Sequence, residues 1–249
     1  MTIFFAVILG LIIGSFLNAV IYRLSVKRSF LFGRSICPTC KHELSAWDLI
    51  PVLSFLMLSG KCHYCKQKIS WQYPIVELAT AVSFGFLAWN LESGIWNLVV
   101  QLIFACFLIV IGVYDYKHYL ILDKVVYPAA VLALIWSIVN GQLVNSLFGS
   151  LIIVGFFGLQ YLISSGKWIG LGDVKFGLFL GILFGFKLGL VVLMIAYVSG
   201  AAIGIVLIVL GRKKIGSPVP LGSLLAGSGI IVMVWGEAIA SWYLKLIGL

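Results

Sequence analysis

Charge is scarce in this chain of 249 residues. Only 10% of its residues are charged, and acidic residues number eight against seventeen lysines and arginines. A soluble domain carries about a quarter charged residues, so the composition excludes an ordinary water-soluble protein. The chain also lacks a glycine-rich loop of the dinucleotide-binding type, which excludes a Rossmann-like nucleotide site. No internal repeat or low-complexity tract is present.

Hydrophobic residues make up 62% of the chain, and the mean hydropathy is +1.16. Since about 20 apolar residues cross a bilayer, the sequence predicts an all-α polytopic membrane protein. Eight spans are expected, roughly at residues 2–22, 74–90, 97–114, 125–139, 146–163, 176–186, 188–210 and 224–244. A break at Phe186 and Lys187 separates the sixth span from the seventh, either as a tight turn or as a kink.

The basic residues indicate the topology. Arg23, Lys27 and Arg28 follow the first apolar run instead of preceding it, which predicts an uncleaved span and not a signal peptide. With both termini outside, fifteen of the seventeen basic residues fall in cytoplasmic loops, as the positive-inside rule requires. The membrane therefore explains the net charge of +9, and no nucleic-acid partner is expected.

Residues 23–73 form the only long polar segment, and they contain two C-x-x-C pairs. Four thiolates can close a tetrahedral structural zinc site, and a cytoplasmic location favours metal over disulfides. The predicted ligands are Cys37, Cys40, Cys62 and Cys65. The chain is thus expected to comprise a first span (1–22), a zinc module (23–73) and a multi-span membrane domain (74–249).

Four carboxylates are expected at the cytoplasmic ends of spans: Glu77, Asp115, Asp123 and Asp173. Two close carboxylates that share a proton can act as base and acid on a peptide bond. Asp173 follows Gly170 and Gly172, and glycines allow another backbone to come close. Asp173 could equally be an ordinary acidic residue at a helix N-terminus. Asp115 is its expected partner, and Asp123 is the rival.

Several motifs resemble those of type IV prepilin peptidases. Residues 170–173 match the G-x-G-D motif of intramembrane aspartic proteases, and residues 115–123 resemble the family's first aspartate motif, although Leu122 replaces the usual proline. Further similar segments are 14–24, 34–40, 50–54, 73–78 and 219–222. The resemblance covers nearly the whole chain.

The resemblance implies a bifunctional enzyme of the plasma membrane. Members cleave the leader of type IV prepilins or pseudopilins and then methylate the new N-terminus with S-adenosylmethionine. Asp115 and Asp173 would be catalytic, supported by Gly170, Gly172, Asp123 and Lys175. Glu77 is the candidate for the methylation site, or an anchor for basic side chains of the zinc module.

Three alternatives remain open at the level of sequence. The chain could be a peptidase that does not methylate, a transporter with intramembrane aspartates as a proton or cation relay, or a membrane-anchored zinc module that binds a partner without catalysis. Carboxylates at the membrane edge, and not at its centre, disfavour the transporter. The G-x-G-D element disfavours the binding module.

Overall fold

The computed structural model describes residues 1–26, 29, 33–90, 94–214, 217–246 and 248. Lys27 and Arg28, which belong to the predicted cytoplasmic charge cluster, lie outside the described residues. Over the described ranges the chain forms one 3-10 turn, Trp47–Leu49, and eight α-helices. These are α1 Thr2–Ser25, α2 Leu53–Met57, α3 Gln72–Trp89, α4 Ile95–His118, α5 Asp123–Val139, α6 Leu143–Ser164, α7 Leu171–Val209 and α8 Leu221–Leu246.

Five of these helices, α1, α4, α6, α7 and α8, are long and apolar enough to cross a membrane by length and composition. The predicted class, an all-helical polytopic membrane protein with a small four-cysteine insert, is confirmed. The number of eight spans stays a prediction, because α3 and α5, of 18 and 17 residues, are not among the helices that are both long and apolar enough. The chain divides into two compact units, Met1–Val110 and Ile111–Leu249.

In the first unit, α1 packs closely against α3. A Cβ added at Gly10 would lie 2.6 Å from Ala81 Cα, and one at Gly14 would lie 2.7 Å from Glu77 Cα. Real side chains do not come this near, so the glycines let the two backbones touch. Glu77 is thereby enclosed between the helices, with 6% of its surface exposed.

In the second unit, α7 is interrupted at Gly185, where φ is 66° and ψ is −165°. A Cβ at Gly177 would lie 3.0 Å from Ile153, and one at Gly189 would lie 2.8 Å from the same side chain. In an unbroken helix these glycines would be about 18 Å apart. The helix therefore folds back into two arms, residues 171–184 and 186–209. Of the two possibilities left open by the sequence, the contacts favour the turn over the kink.

Asn145 of α6 stabilises this turn, because its Oδ1 accepts a hydrogen bond from the Phe186 N–H at 3.2 Å. A backbone group released by a helix break in a membrane needs such a partner. The second arm then runs beside α8 in the opposite direction: Leu188 lies near Gly236, and Gly200 lies near Leu224. Both α7 and α8 therefore begin at the same end of the second unit.

We expect Gly181→Leu to destabilise the protein by more than about 3 kcal/mol, beyond ordinary overpacking. A Cβ at Gly181 would collide with the backbone of Ser150 on α6, which cannot move aside as a flexible side chain would. Gly158→Leu is the matched control, since a Cβ there meets nothing within 4 Å. The melting temperatures of both variants are measured in detergent, with size-exclusion chromatography as the readout of unfolding. Equal melting temperatures for the two variants would contradict the close contact.

Candidate active site and metal centre

Three chain segments converge at one end of the second unit through a single side chain, Ile121. This residue lies in the short connection between α4 and α5. A Cβ at Gly172 would lie 3.1 Å from Ile121 Cβ, and a Cβ at Gly222 would lie 3.0 Å from Ile121 Cδ1. Glycine at both positions lets the first turns of α7 and α8 close on Ile121. The two predicted aspartates lie beside this contact.

Asp115 is held in the last turn of α4 and is only 5% exposed. Its Oδ2 accepts a hydrogen bond from the Ser223 N–H at 2.8 Å. The Ser223 hydroxyl lies 3.1 Å from the same oxygen and 2.8 Å from the Gly112 carbonyl oxygen. A Cβ at Gly222 would lie 2.9 Å from Asp115 Cγ, so the first turn of α8 fixes one side of this carboxyl group.

Sequence reasoning did not find Ser223. The motif assigned to this region stops at Gly222, and serine is common in membrane helices as a packing residue. The signal was present as a small polar residue directly after a glycine at the start of a span. The role of Ser223 depends on the contact between α4 and α8, and the sequence alone does not predict that contact.

Asp173 lies in the first turn of α7, and its Oδ2 accepts a hydrogen bond from the Gly170 N–H at 3.1 Å. It therefore caps the helix and lies at the positive end of the helix dipole, as expected for an ordinary acidic residue at a helix N-terminus. It also interacts electrostatically with Asp115. The cap at the helix N-terminus and the interaction with a second carboxylate are therefore compatible with each other.

Asp123, the rival partner, has a different environment. It is exposed, and both of its carboxylate oxygens contact Lys175 Nζ, at 2.8 and 2.9 Å. The same ammonium lies 5.7 Å from the centre of the Tyr127 ring. A carboxylate already engaged by a cation is a poor candidate for sharing a proton, so this placement favours Asp115.

The four cysteines form a compact cluster in the first unit. Their sulfur atoms all lie within 4.8 Å of one another, and Cys37 and Cys65 are separated by 4.0 Å. Four thiolates around one tetrahedral zinc ion lie about 3.8 Å apart, given Zn–S bonds of about 2.3 Å. The residues present therefore fit a zinc ion with little movement.

Two copies of one backbone turn build this cluster. In each, the first cysteine N–H donates to a carbonyl five residues later, Cys37 to His42 and Cys62 to Gln67. The lysine after the second cysteine adopts a left-handed conformation, with φ 60° at Lys41 and φ 57° at Lys66. One isolated β-bridge closes each turn, Ile36 with Glu43 and Lys61 with Lys68.

The thiols of the cluster differ in acidity. Burial opposes ionisation of Cys37, yet the backbone N–H groups of Cys40 and Thr39 outweigh it and lower its pKa to about 7. The Gln67 N–H favours the Cys65 thiolate, but desolvation and the three neighbouring sulfur atoms raise its pKa to about 11. Four thiolates this close repel one another unless a cation lies between them.

His42 and His63 do not complete the cluster. The His42 ring lies 3.7 Å from the Tyr64 ring, and His63 Nδ1 lies 3.9 Å from Asp48 Oδ1. Asp48 also accepts hydrogen bonds from Ser45, which lower its pKa against the effect of burial. Both histidines therefore lie within the module but are not part of the four-sulfur cluster.

Glu77 connects α3 to the module. Its Oε2 accepts a hydrogen bond from the Val52 N–H at 2.8 Å. Val52 has φ 61°, a costly conformation for a β-branched residue that persists only when its surroundings enforce it. The described partners of Glu77 are thus the Val52 N–H and the Ser15 hydroxyl, and not a lysine or arginine as the anchoring alternative expected.

A polar group lies beside Glu77 between α1 and α3. Asn18 Nδ2 donates to the Tyr73 carbonyl at 3.0 Å, and Gln72 Nε2 donates to Asn18 Oδ1 at 3.2 Å. The Oε1 of Gln72 is buried and has no hydrogen-bond partner among the described residues. This orphaned acceptor can receive an additional donor.

These features define a polytopic membrane protein with two carboxylates at one end of its second unit and, in its polar insert, a four-thiol cluster that could hold a metal ion. Comparison with known proteins identifies its family. Residues 8–91 match the family model of the bacterial peptidase A24 N-terminal domain, and residues 102–205 match that of the type IV leader peptidase family.

Curated relatives named prepilin leader peptidase/N-methyltransferase match along almost the entire chain. The one from Pseudomonas aeruginosa is 31% identical over 271 residues, covering 97% of this chain and 93% of the relative. The one from Stutzerimonas stutzeri is 32% identical over 269 residues, covering 96% and 93%. The one from Aeromonas salmonicida is 30% identical over 269 residues, covering 96% and 92%.

The chain therefore belongs to the type IV leader peptidase family, and it is a multi-pass protein of the inner membrane. No solved structure matches it significantly.

Proposed function

We propose that this protein cleaves the leader peptide of type IV prepilins or pseudopilins and then methylates the new N-terminal residue. The observation that carries the proposal is that Gly172, directly before Asp173, and Gly222, which packs on Asp115, both close on the same side chain, Ile121. Family membership and the names of the relatives support both activities.

Asp115 and Asp173 would perform the cleavage. Two neighbouring carboxylates share a proton, so that one takes a proton from water while the other protonates the peptide carbonyl. Ser223 positions Asp115 by binding one oxygen of its carboxyl group. Gly170, where an added Cβ would make only ordinary contacts, leaves room for an extended substrate strand beside Asp173, while Gly172 lets α7 pack on Ile121. The Asp123–Lys175 ion pair closes the neighbouring surface.

Cleavage would occur at the cytoplasmic face. The fifteen-to-two distribution of basic residues supports a topology with both termini outside and the cysteine module inside. A prepilin with a basic leader and an apolar helix would then present its scissile bond at this surface. Zinc would hold the module as a structural ion, bound by Cys37, Cys40, Cys62 and Cys65.

Methylation would use the first unit. S-adenosylmethionine supplies the methyl group when it is bound. The buried Glu77 carboxylate and the orphaned Gln72 Oε1 are acceptors suited to an amine, and both lie where α3 meets the cysteine module. Glu77 would receive the proton that the amine loses.

Asp115→Asn and Asp173→Asn are each expected to reduce leader cleavage at least about 100-fold, the usual cost of removing a catalytic acid or base. Each variant keeps the side-chain volume and hydrogen-bond acceptor, so the protein should remain folded. Glu237→Gln is the control, since that carboxylate is exposed and bound to Lys187. Co-expression with a prepilin, followed by mass analysis of the product, measures the loss. Normal processing by either asparagine variant would refute the dyad.

Glu77→Gln and Glu77→Leu separate the two roles of this residue. If its charge serves methylation, Glu77→Gln lowers methylation by about 100-fold or more and leaves cleavage and metal content unchanged, because glutamine still accepts from Val52. If Glu77 only anchors the module, Glu77→Gln methylates normally and Glu77→Leu loses methylation together with thermal stability. The N-terminal mass of the processed pilin reports methylation in both.

Purified protein is expected to contain one zinc ion per chain by elemental analysis. Cys62→Ser should remove it, because three thiolates leave the tetrahedral site open. Cys106→Ser is the matched control, since Cys106 lies on α4 outside the cluster. A zinc-free wild-type protein, or the same zinc content in both variants, would contradict the metal assignment.

A further inference from the structure

The cysteine module presents an apolar face to its surroundings. On α2, Leu53, Leu56 and Met57 fall on one side at the spacing of neighbours on a helix. Leu56 is 63% exposed and Met57 is 83% exposed. Trp47 and Trp71, on either side of this helix in sequence, are also exposed. A water-soluble module would not leave such a group uncovered without a partner.

The topology predicted from the sequence places this face at the level of the bilayer surface. Trp71 directly precedes α3, which the sequence predicts as a span, and its ring lies 4.9 Å from that of Phe55 on α2. Val52, at the start of α2, is bound by Glu77, which is more than one turn inside α3. The short helix is therefore beside the membrane end of α3, where tryptophan rings prefer to lie.

A cleft of about 410 Å³ adjoins this face. Its apolar wall is formed by Phe55, Leu56, Ile69 and Trp71, and two lysines, Lys61 and Lys68, line it as well. The cleft thus combines an apolar surface with two ammonium groups.

Lys61 and Lys68 are directly opposed across a β-bridge, and like charges in that position repel. The matching bridge of the first cysteine turn pairs Ile36 with Glu43, whose carboxylate binds Arg34 at 2.9 Å. Within the described part of the module, neither lysine forms an ion pair like that of Glu43 with Arg34. The module's other carboxylate, Asp48, is engaged by Ser45, and the neighbouring Glu77 of α3 is engaged by Val52.

We propose that this cleft binds an anionic phospholipid of the cytoplasmic leaflet. The phosphate would lie between Lys61 and Lys68 and remove their repulsion, while an acyl chain would follow Phe55, Leu56 and Trp71 into the bilayer. A free anion would leave the apolar wall in water, and the basic leader of the proposed substrate would be repelled by the lysines. The bound lipid would hold the module against the membrane.

Lipid binding is tested with the full-length protein by native mass spectrometry, titrating phosphatidylglycerol. Lys61→Gln combined with Lys68→Gln should weaken binding at least about tenfold, the equivalent of roughly one charge-assisted hydrogen bond. Lys41→Gln combined with Lys66→Gln removes the same charge from the same module outside the cleft, and it should bind as wild type does. Phosphatidylcholine should bind weakly to every form.

Zinc content is measured for each variant, so that loss of lipid by an unfolded module is recognised. Equal weakening by the two double variants would overturn the proposal, because it would indicate general attraction to charge. So would displacement of the lipid by inorganic phosphate, or binding of a leader peptide that depends on Lys61 and Lys68 while lipid binding does not. The readout requires no catalysis, so a failure of the proposed peptidase activity leaves this test intact.

Discussion

Contact between helix backbones is the constraint on which the rest of this structure depends. Lipid chains are as apolar as leucine, so burying hydrophobic surface does not drive helices together in a bilayer. Close van der Waals contact must do so instead, and glycine permits the closest approach. Gly10 and Gly14 join α1 to α3, and Gly177, Gly181 and Gly189 bring both arms of α7 onto α6. Large apolar residues such as Leu151 and Val198 remain free to face lipid.

Polar groups are placed where these close contacts leave no water. Asp115, Glu77 and Asn18 are all buried, and each is hydrogen-bonded to a backbone group of another segment. An unpaired polar group in such surroundings would cost several kcal/mol. The two carboxylates to which we assign chemistry thus also contribute to assembly: Asp115 joins α4 to α8, and Glu77 joins α3 to the cysteine module.

Much of this was predictable from sequence because the signals are local. Apolar runs predicted the long helices, though not the short α2, to within about five residues, and the paired cysteines predicted the compact thiol cluster. Features that depend on two distant segments were not predictable. Ser223 acquires its role only because α8 begins beside Asp115, and Asn145 only because Gly185 turns next to it. The strained Val52 gave no signal, since its partner Glu77 lies 25 residues further along the chain.

The turn at Gly185 determines on which side of the membrane α8 begins. If α7 crossed without turning back, the first residues of α8 would emerge at the opposite surface, and Ser223 could not reach Asp115. The turn itself lies about 18 Å along the helix from Asp173 and touches neither carboxylate. The proposed reaction centre therefore depends on a distant feature: Gly185, with its positive φ, and Asn145 decide whether α8 begins beside Asp115.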